Sequence, residues 1–440
     1  MSSSPIPLPA EPSRRGVFVA VLLLLFAGVS IHYSVKAVQH RSAFVRWQSQ
    51  VLAMDEGTDI AKEFNYPNPP VMAVLLLPLA SLPPLAGALG WFYLKVALTL
   101  LAIHWTFRLV ETPGRPFPAV AQALTVLLSL RPILGDLEHG NVNLFILFLV
   151  IGALAAFQSR RDVLGGVVLG LAISCKVTPA LFIPYLAWKR AWRSLAGVGL
   201  GLALFLWPGV VPSLRLGFAE NQRQLVSWYE EMVRPFVIDG KVTSEHPNQS
   251  LPGLVARLAT ASPSFSTYVD NVYTPTEYDN VFSLDPARAR WLVKGCMGLF
   301  VLLVVWSCRT PAGTRQGWPL AAEYGLVLLG MLLFSERTWK HHCVTLLVPF
   351  AVLCYYLTAC HPSRPGARRI IAVLIATATL MALTSTVFDK DFAKQAQVYG
   401  AYTVVHILLV GTLVVLLRSA RSDGNAVTAP AESLKIAQPL

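Results

Sequence analysis

Apolar runs long enough to cross a bilayer recur along almost the whole of this chain, and that recurrence limits its fold more than any other feature. Stretches such as "GVFVAVLLLLFAGVS" and "NVNLFILFLVIGALA" approach the roughly 20 apolar residues that a spanning helix requires. Only 14% of the 440 residues are charged, against about 25% in soluble globular proteins. A soluble enzyme is thereby excluded, and the expected architecture is all-α, a single polytopic helical bundle over residues 1–420. The polar, Ala- and Ser-rich residues 421–440 are expected to form a disordered cytoplasmic tail.

The formal charge of +12 is spread as short basic clusters between apolar runs, the pattern of a topology signal. Nucleic acid is therefore not an expected partner. The six cysteines lie in or beside apolar segments, without the spacing of a metal site or disulfide framework. The stretch "SRRGVFVAVLLLLFAGVS" resembles an export signal, but the many spans after it favour a retained first helix.

With Arg14 and Arg15 inside, the first helix runs outward over about 16–35, and 36–70 becomes an external loop. The three prolines of "VMAVLLLPLASLPP" favour a short interfacial helix. Spans then alternate, with "RPILGDLEHGN" as an external turn and a second, partly ordered external loop over about 213–288. About 11 crossings or half-crossings result, with both termini cytoplasmic.

The segment 163–188 breaks the alternation, because basic clusters flank both of its ends: Arg160 and Arg161 before it, Lys189, Arg190 and Arg193 after it. One span cannot have both ends on the same side. Within "LAISCKVTPALFIP", Pro179 cannot donate a backbone hydrogen bond and disfavours helix just before it. The expectation is a broken hairpin of two half-helices with Lys176 at the break. An ammonium at membrane depth costs roughly 2.5–3.5 kcal/mol on insertion scales, so such residues are usually functional.

This topology pools polar groups on the external face. The first loop supplies Asp55, Glu56 and Asp59; the third-to-fourth connection supplies Arg131, Asp136, Glu138, His139, Asn141 and Asn143; "SERTWKHH" adds Glu336, Arg337, Lys340, His341 and His342. Adjacent histidines without a HExxH or cysteine partner do not suggest a metal site. A histidine acting as a general base fits better.

Several stretches together resemble glycosyltransferase family 87, multi-pass enzymes of the GT-C superfamily that use polyprenyl-phosphate sugars. They are "YPNPPVMAVLLLPLASLPP", "HGNVNLFILFLVIGALA", "GVVLGLAISCKVTPALFIPYLAWKRAWR", "NQSLPGLVAR" and "SERTWKHHCVTLLVP". The resemblance implies a GT-C-type bundle transferring a hexose, typically mannose, from a polyprenyl-phosphate donor to a glycolipid or glycan acceptor. The implied site faces outward from a bacterial cytoplasmic membrane and uses no metal or other cofactor.

The expected catalytic residues are Asp55, Glu56, Asp59, His341 and His342, with Lys176, Arg131 and Lys340 on the donor phosphate. Glu138, His139, Asn141, Asn143, Asn248 and Gln249 are expected to contact substrate. The resemblance also implies an acid soon after the first helix, ahead of an aromatic; the corresponding "HRSAFVRWQ" carries none. A flippase for a lipid-linked sugar and a non-catalytic scaffold of the same fold are the alternatives. The absence of a visible internal repeat weighs against a transporter.

Overall fold

The computed structural model describes residues 27–427, except 270–271, 312, 314, 361 and 386–388 and the side chains of Tyr268 and 421–427. Arg14, Arg15, most of the expected first helix and the last part of the expected tail lie outside the described residues. Residues 27–38 are helical, and the final helix, Ala401–Val427, continues beyond the expected end of its span.

The chain is a helical polytopic bundle, 75% helical. Among the described residues, seven helices are long and apolar enough to cross a membrane: Pro84–Val110, Ala119–His139, Trp192–Leu216, Pro286–Ser307, Lys340–Ala359, Arg364–Leu383 and Ala401–Ala420. Four shorter apolar helices, Pro70–Ala80, Asn143–Gln158, Asp162–Cys175 and Trp318–Leu333, fill in between them. Burial separates centre from periphery. The Lys340–Ala359 helix has 72% of its apolar window buried and Pro286–Ser307 only 6%. The latter presents Trp291, Leu299 and Leu302 outward, as a lipid-facing helix does.

Local chemistry sets the boundaries. Pro84 and Pro286 stand at first helical positions, where a missing N–H costs nothing; Asp285 caps the second by accepting from the amides of Ala287 and Arg288. Pro78 lies inside Pro70–Ala80. The expected turn "RPILGDLEHGN" is a helix for most of its length: Ala119–His139 continues through Pro132 and stops at Gly140, at φ 70°. Proline tends to break helices, but glycine in the left-handed region is the stronger stop signal. Asp136 therefore faces the core and not a loop.

The broken hairpin is present. Asp162–Cys175 ends at Lys176, whose backbone is extended (φ −157°, ψ 122°), and a 3₁₀ turn, Thr178–Leu181, leads into Phe182–Trp188. Asp162 and Lys189 line one cavity, so the hairpin returns to the face it entered. Trp192–Phe205 then runs parallel to Asp162–Cys175. Gly166 lies against Ser194 and Gly197, and Gly170 against Val198 and Gly201. This is small-residue packing at spacing four, which brings two backbones close without side chains between them.

The long loop is ordered over much of its length. It contains Phe218–Trp228, Leu251–Ala259 and an antiparallel hairpin pairing Phe265–Val269 with Val272–Glu277. These strands were not anticipated in an all-α reading.

The glycine contact yields a direct test. A Cβ on Gly170 would lie 2.8 Å from the Cα of Gly201, whereas one on Gly199 would meet nothing within 4 Å. Gly170→Leu is expected to lower the thermal midpoint in detergent and reduce monodisperse yield, since overpacking costs about 1–3 kcal/mol or more. Gly199→Leu, on the facing helix Trp192–Phe205 but away from the contact, is expected to leave both unchanged.

Candidate functional site

The site is built from a buried ion pair. Lys95, midway along Pro84–Val110, and Asp136, near the end of Ala119–His139, are both 0% exposed. Lys95 Nζ donates to Asp136 Oδ1 (3.0 Å) and to the Asp136 carbonyl (2.7 Å), and it lies 5.9 Å from the Trp91 ring. A charge sealed at this depth persists only when paired and fully hydrogen-bonded. Asp136 completes its set with Asn143 Nδ2 (2.8 Å, to Oδ2) and the Leu144 amide (3.4 Å).

Asn143 passes this order outward. Its Oδ1 accepts from Lys176 Nζ at 2.5 Å, so the hairpin break is tied to the Asp136 carboxylate through one amide. An ammonium has three donors, and no other hydrogen bond occupies Lys176 Nζ among the described residues. Lys176 lines a narrow cleft with Asn143, Thr178, Ser335, Arg337, Thr338 and His342. Its half-buried ammonium and the exposed Arg337 give that cleft a positive charge, and among the described residues no carboxylate lines it.

The two histidines sit on a 3₁₀ stretch, Lys340–Leu346, longer than such helices usually run. They diverge. His342 faces the cleft, with Nδ1 3.1 Å from the Arg337 carbonyl. His341 turns toward Asn141, whose Nδ2 lies 3.2 Å from His341 Nε2, and its ring lies 4.5 Å from that of His139. The structure thus brings Lys176, Asn143 and His342 together, and sets His341, Asn141 and His139 beside them.

Arg131 Nη2 and Lys340 Nζ both donate to the Thr384 carbonyl, at 2.7 and 3.2 Å. Two cations at a helix C-terminus suit its dipole, and neither has an acidic partner among the described residues. Glu138 accepts from Lys36 (2.9 Å) at the outer edge.

Asn248 and Gln249 are fully buried, and their side-chain groups are spent inside the fold. Asn248 donates to the carbonyls of Thr243 and Glu336 and accepts from the amides of Ser250 and Thr338. Gln249 bridges His246, Gln397 and Tyr402. Behind them Arg257, unnoticed in the sequence, donates to the carbonyls of Val398, Ser244, Glu245, Asn248 and Gln397; burial lowers its pKa to about 10, and it stays charged. The long loop therefore fixes Arg337 and Thr338 from behind. Glu336, beside Arg337 (2.8 Å), has its carboxyl raised by burial.

The first-loop acids are not brought to the cleft. Asp55 is bound by both ends of the Arg215 guanidinium (2.8 and 2.5 Å), and Asp59 caps Ile60–Phe64 while accepting from Ser227 (2.7 Å). Glu56 is exposed and has no side-chain partner among the described residues. In the acid-free stretch, Ser42 lies against Gly140 and bonds Tyr33 (3.0 Å). Tyr66 and Asn68, from "YPNPP", are both buried. Lys95 also went unnoticed in the sequence, although a lone charge inside a span is the signal that singled out Lys176.

Among the described residues no group of three or more His, Cys, Asp or Glu side chains is placed to hold a metal ion. Residues 66–336 match the profile of glycosyltransferase family 87. The chain is 29% identical over 308 residues to the polyprenol-phosphate-mannose-dependent alpha-(1-2)-phosphatidylinositol mannoside mannosyltransferase of Mycolicibacterium smegmatis, covering 66% of this chain and 62% of that protein. The protein of the same description from Mycobacterium tuberculosis is 26% identical over 308 residues, covering 67% and 63%. A pentamannoside mannosyltransferase of M. smegmatis is 26% identical over 295 residues, covering 67% and 61%. The chain thus spans less than two thirds of the length of these relatives. No solved structure matches it.

Two measurements test the framework. Lys95→Met or Asp136→Asn alone is expected to cost about 3–5 kcal/mol, because each strands a buried partner; Lys95→Met with Asp136→Leu is expected to recover much of that loss in thermal denaturation. The second concerns His246, in the long loop, which burial lowers from 6.5 to about 4. Its folded-state value lies below the unfolded one, so its contribution is full above about pH 6.5 and is lost as pH falls toward 4. Limited proteolysis of residues 239–250 is expected to accelerate over that window, and His246→Phe to flatten the dependence.

Proposed function

The chain belongs to glycosyltransferase family 87, and from that premise we propose that it transfers a hexose, mannose in the first instance, from a polyprenyl-phosphate donor to a glycolipid acceptor. The observation that carries the proposal is Lys176, held at a helix break inside an apolar bundle with donors to spare, in one cleft with Arg337 and His342. The mannosyltransferase relatives use a polyprenol-phosphate-mannose donor by name, which supports the same donor class here. We place the site at the external face of a bacterial cytoplasmic membrane.

Lys176 and Arg337 hold the donor phosphate, with Arg131 and Lys340 as further cations. His342, which faces the cleft, takes the proton from the acceptor hydroxyl. The acceptor oxygen attacks the anomeric carbon, and the bond from that carbon to the phosphate oxygen breaks. The electron pair leaves on polyprenyl phosphate, an anion that the two cations stabilise more strongly as its charge grows. No general acid is needed, since the leaving group is already a phosphate ester, and no cofactor enters the scheme. His139, Asn141 and Glu138 are proposed to contact the sugar.

A second reading rests on one observation: no carboxylate lines the cleft among the described residues. A non-catalytic member would bind the lipid-linked sugar without turning it over. Transfer from radiolabelled polyprenyl-phosphate mannose to a phosphatidylinositol mannoside, in membranes containing the full chain, separates the two. The catalytic reading expects product, loss of at least a hundredfold with Lys176→Met, and partial rescue with Lys176→Arg. It also expects His342→Gln to lower kcat more than Asp55→Asn, Glu56→Gln or Asp59→Asn. Saturable donor binding by the wild type with no product would establish the non-catalytic reading instead.

A further inference from the structure

At the opposite end of the hairpin lies a second cavity that the proposed reaction does not use. Asp162 lines it and begins the helix whose other end meets Lys176, so the two sites stand roughly 20 Å apart at 1.5 Å rise per residue. Its volume is ≈ 410 Å³, and five basic side chains line it, Arg160, Lys189, Arg190, Arg193 and Arg315, against the single acid Asp162.

The floor is built and fixed. Lys189 and Arg315, each 8% exposed, share Glu323. Lys189 Nζ lies 2.7 Å from its Oε2 and also donates to the carbonyls of Cys308 and Thr310, while Arg315 pairs with the other oxygen. Tyr185 donates to Glu323 as well (2.8 Å). Two cations over one buried carboxylate leave the floor with a net positive charge. The rim is different, because Arg160, Arg190 and Arg193 have no hydrogen-bond or ion-pair partner among the described residues.

The backbone makes the rim informative. Arg160 and Arg190 stand just after the ends of Asn143–Gln158 and Phe182–Trp188 with φ of 60° and 55°. That position in the left-handed region normally belongs to glycine, and a long side chain there carries strain. Two arginines thus occupy strained positions on one cavity. Trp188 and Trp192 are exposed beside it, 47% and 64%, as tryptophans are at the level of lipid headgroups.

We propose that this cavity binds the phosphate headgroup of an anionic glycerophospholipid. Basic pockets between transmembrane helices bind such headgroups, the volume is within the range of ligand pockets, and the flanking tryptophans set it at the depth of a lipid phosphate.

The test is native mass spectrometry of the full detergent-purified chain titrated with dioleoyl phosphatidylglycerol, with dioleoyl phosphatidylcholine and inorganic phosphate as competitors. Phosphatidylglycerol is expected to bind at least tenfold tighter than phosphatidylcholine and to resist displacement by millimolar phosphate. Arg160→Gly with Arg190→Gly relieves the backbone strain, and it is expected to preserve the thermal midpoint while weakening phosphatidylglycerol binding at least tenfold. Arg193→Gln, outside the strained positions, is expected to weaken it in the same direction. Equal binding of the two lipids, or unchanged phosphatidylglycerol affinity in both variants, overturns the proposal. Displacement by phosphate at the concentration of the lipid itself would assign the site to a soluble phosphate and overturn the lipid assignment.

Discussion

A lysine and an aspartate sealed together inside an apolar bundle set the geometry of everything around them. Lys95 and Asp136 come from different helices and are both fully buried, so neither helix can slide or rotate without stranding a charge. Replacing such a pair by apolar groups can be neutral, but separating it is costly. The pair therefore serves register more than stability, and its register is transmitted. Asn143 joins Asp136 to Lys176, which fixes the hairpin break at a defined depth.

The bundle repeats this solution at its other end. There Glu323 takes two cations, Lys189 and Arg315, and pins the return of the hairpin to Trp318–Leu333. The hairpin is held at its tip by one buried carboxylate and at its base by another. Between them the parallel contact of Asp162–Cys175 with Trp192–Phe205 through glycines contributes close packing that no charge could supply in lipid. The long loop acts from the opposite side of the cleft. Arg257 and Asn248 gather carbonyls and amides into one knot, behind Arg337 and Thr338.

Much of this was legible in the sequence, for identifiable reasons. Spans are written in hydropathy, and the hairpin in the conflict between two basic clusters and one apolar run. The turn expected at "RPILGDLEHGN" is instead helical up to His139, because a cluster of polar residues reads as a loop while the actual stop signal is Gly140. Lys176 was visible as a charge beside Pro179, and Lys95 was equally visible but had no proline to draw attention to it. The roles of Asn248 and Gln249 could not be read, since a buried amide that braces a loop and one that holds a ligand have the same sequence. The partners of Asp55 and Asp59, Arg215 and Ser227, lie more than a hundred residues away along the chain, a separation that local pattern does not report.

The central claim is that the polar chain running from Asp136 through Asn143 presents Lys176 to a lipid-linked phosphate. A cryo-electron microscopy structure of the full chain with polyprenyl-phosphate mannose tests it most directly. The account expects the donor phosphate within hydrogen-bond distance of Lys176 Nζ, with Asn143 still bonded to Asp136 and Arg337 closing over the phosphate. A phosphate bound away from the hairpin break, with Lys176 still turned only to Asn143, would contradict it.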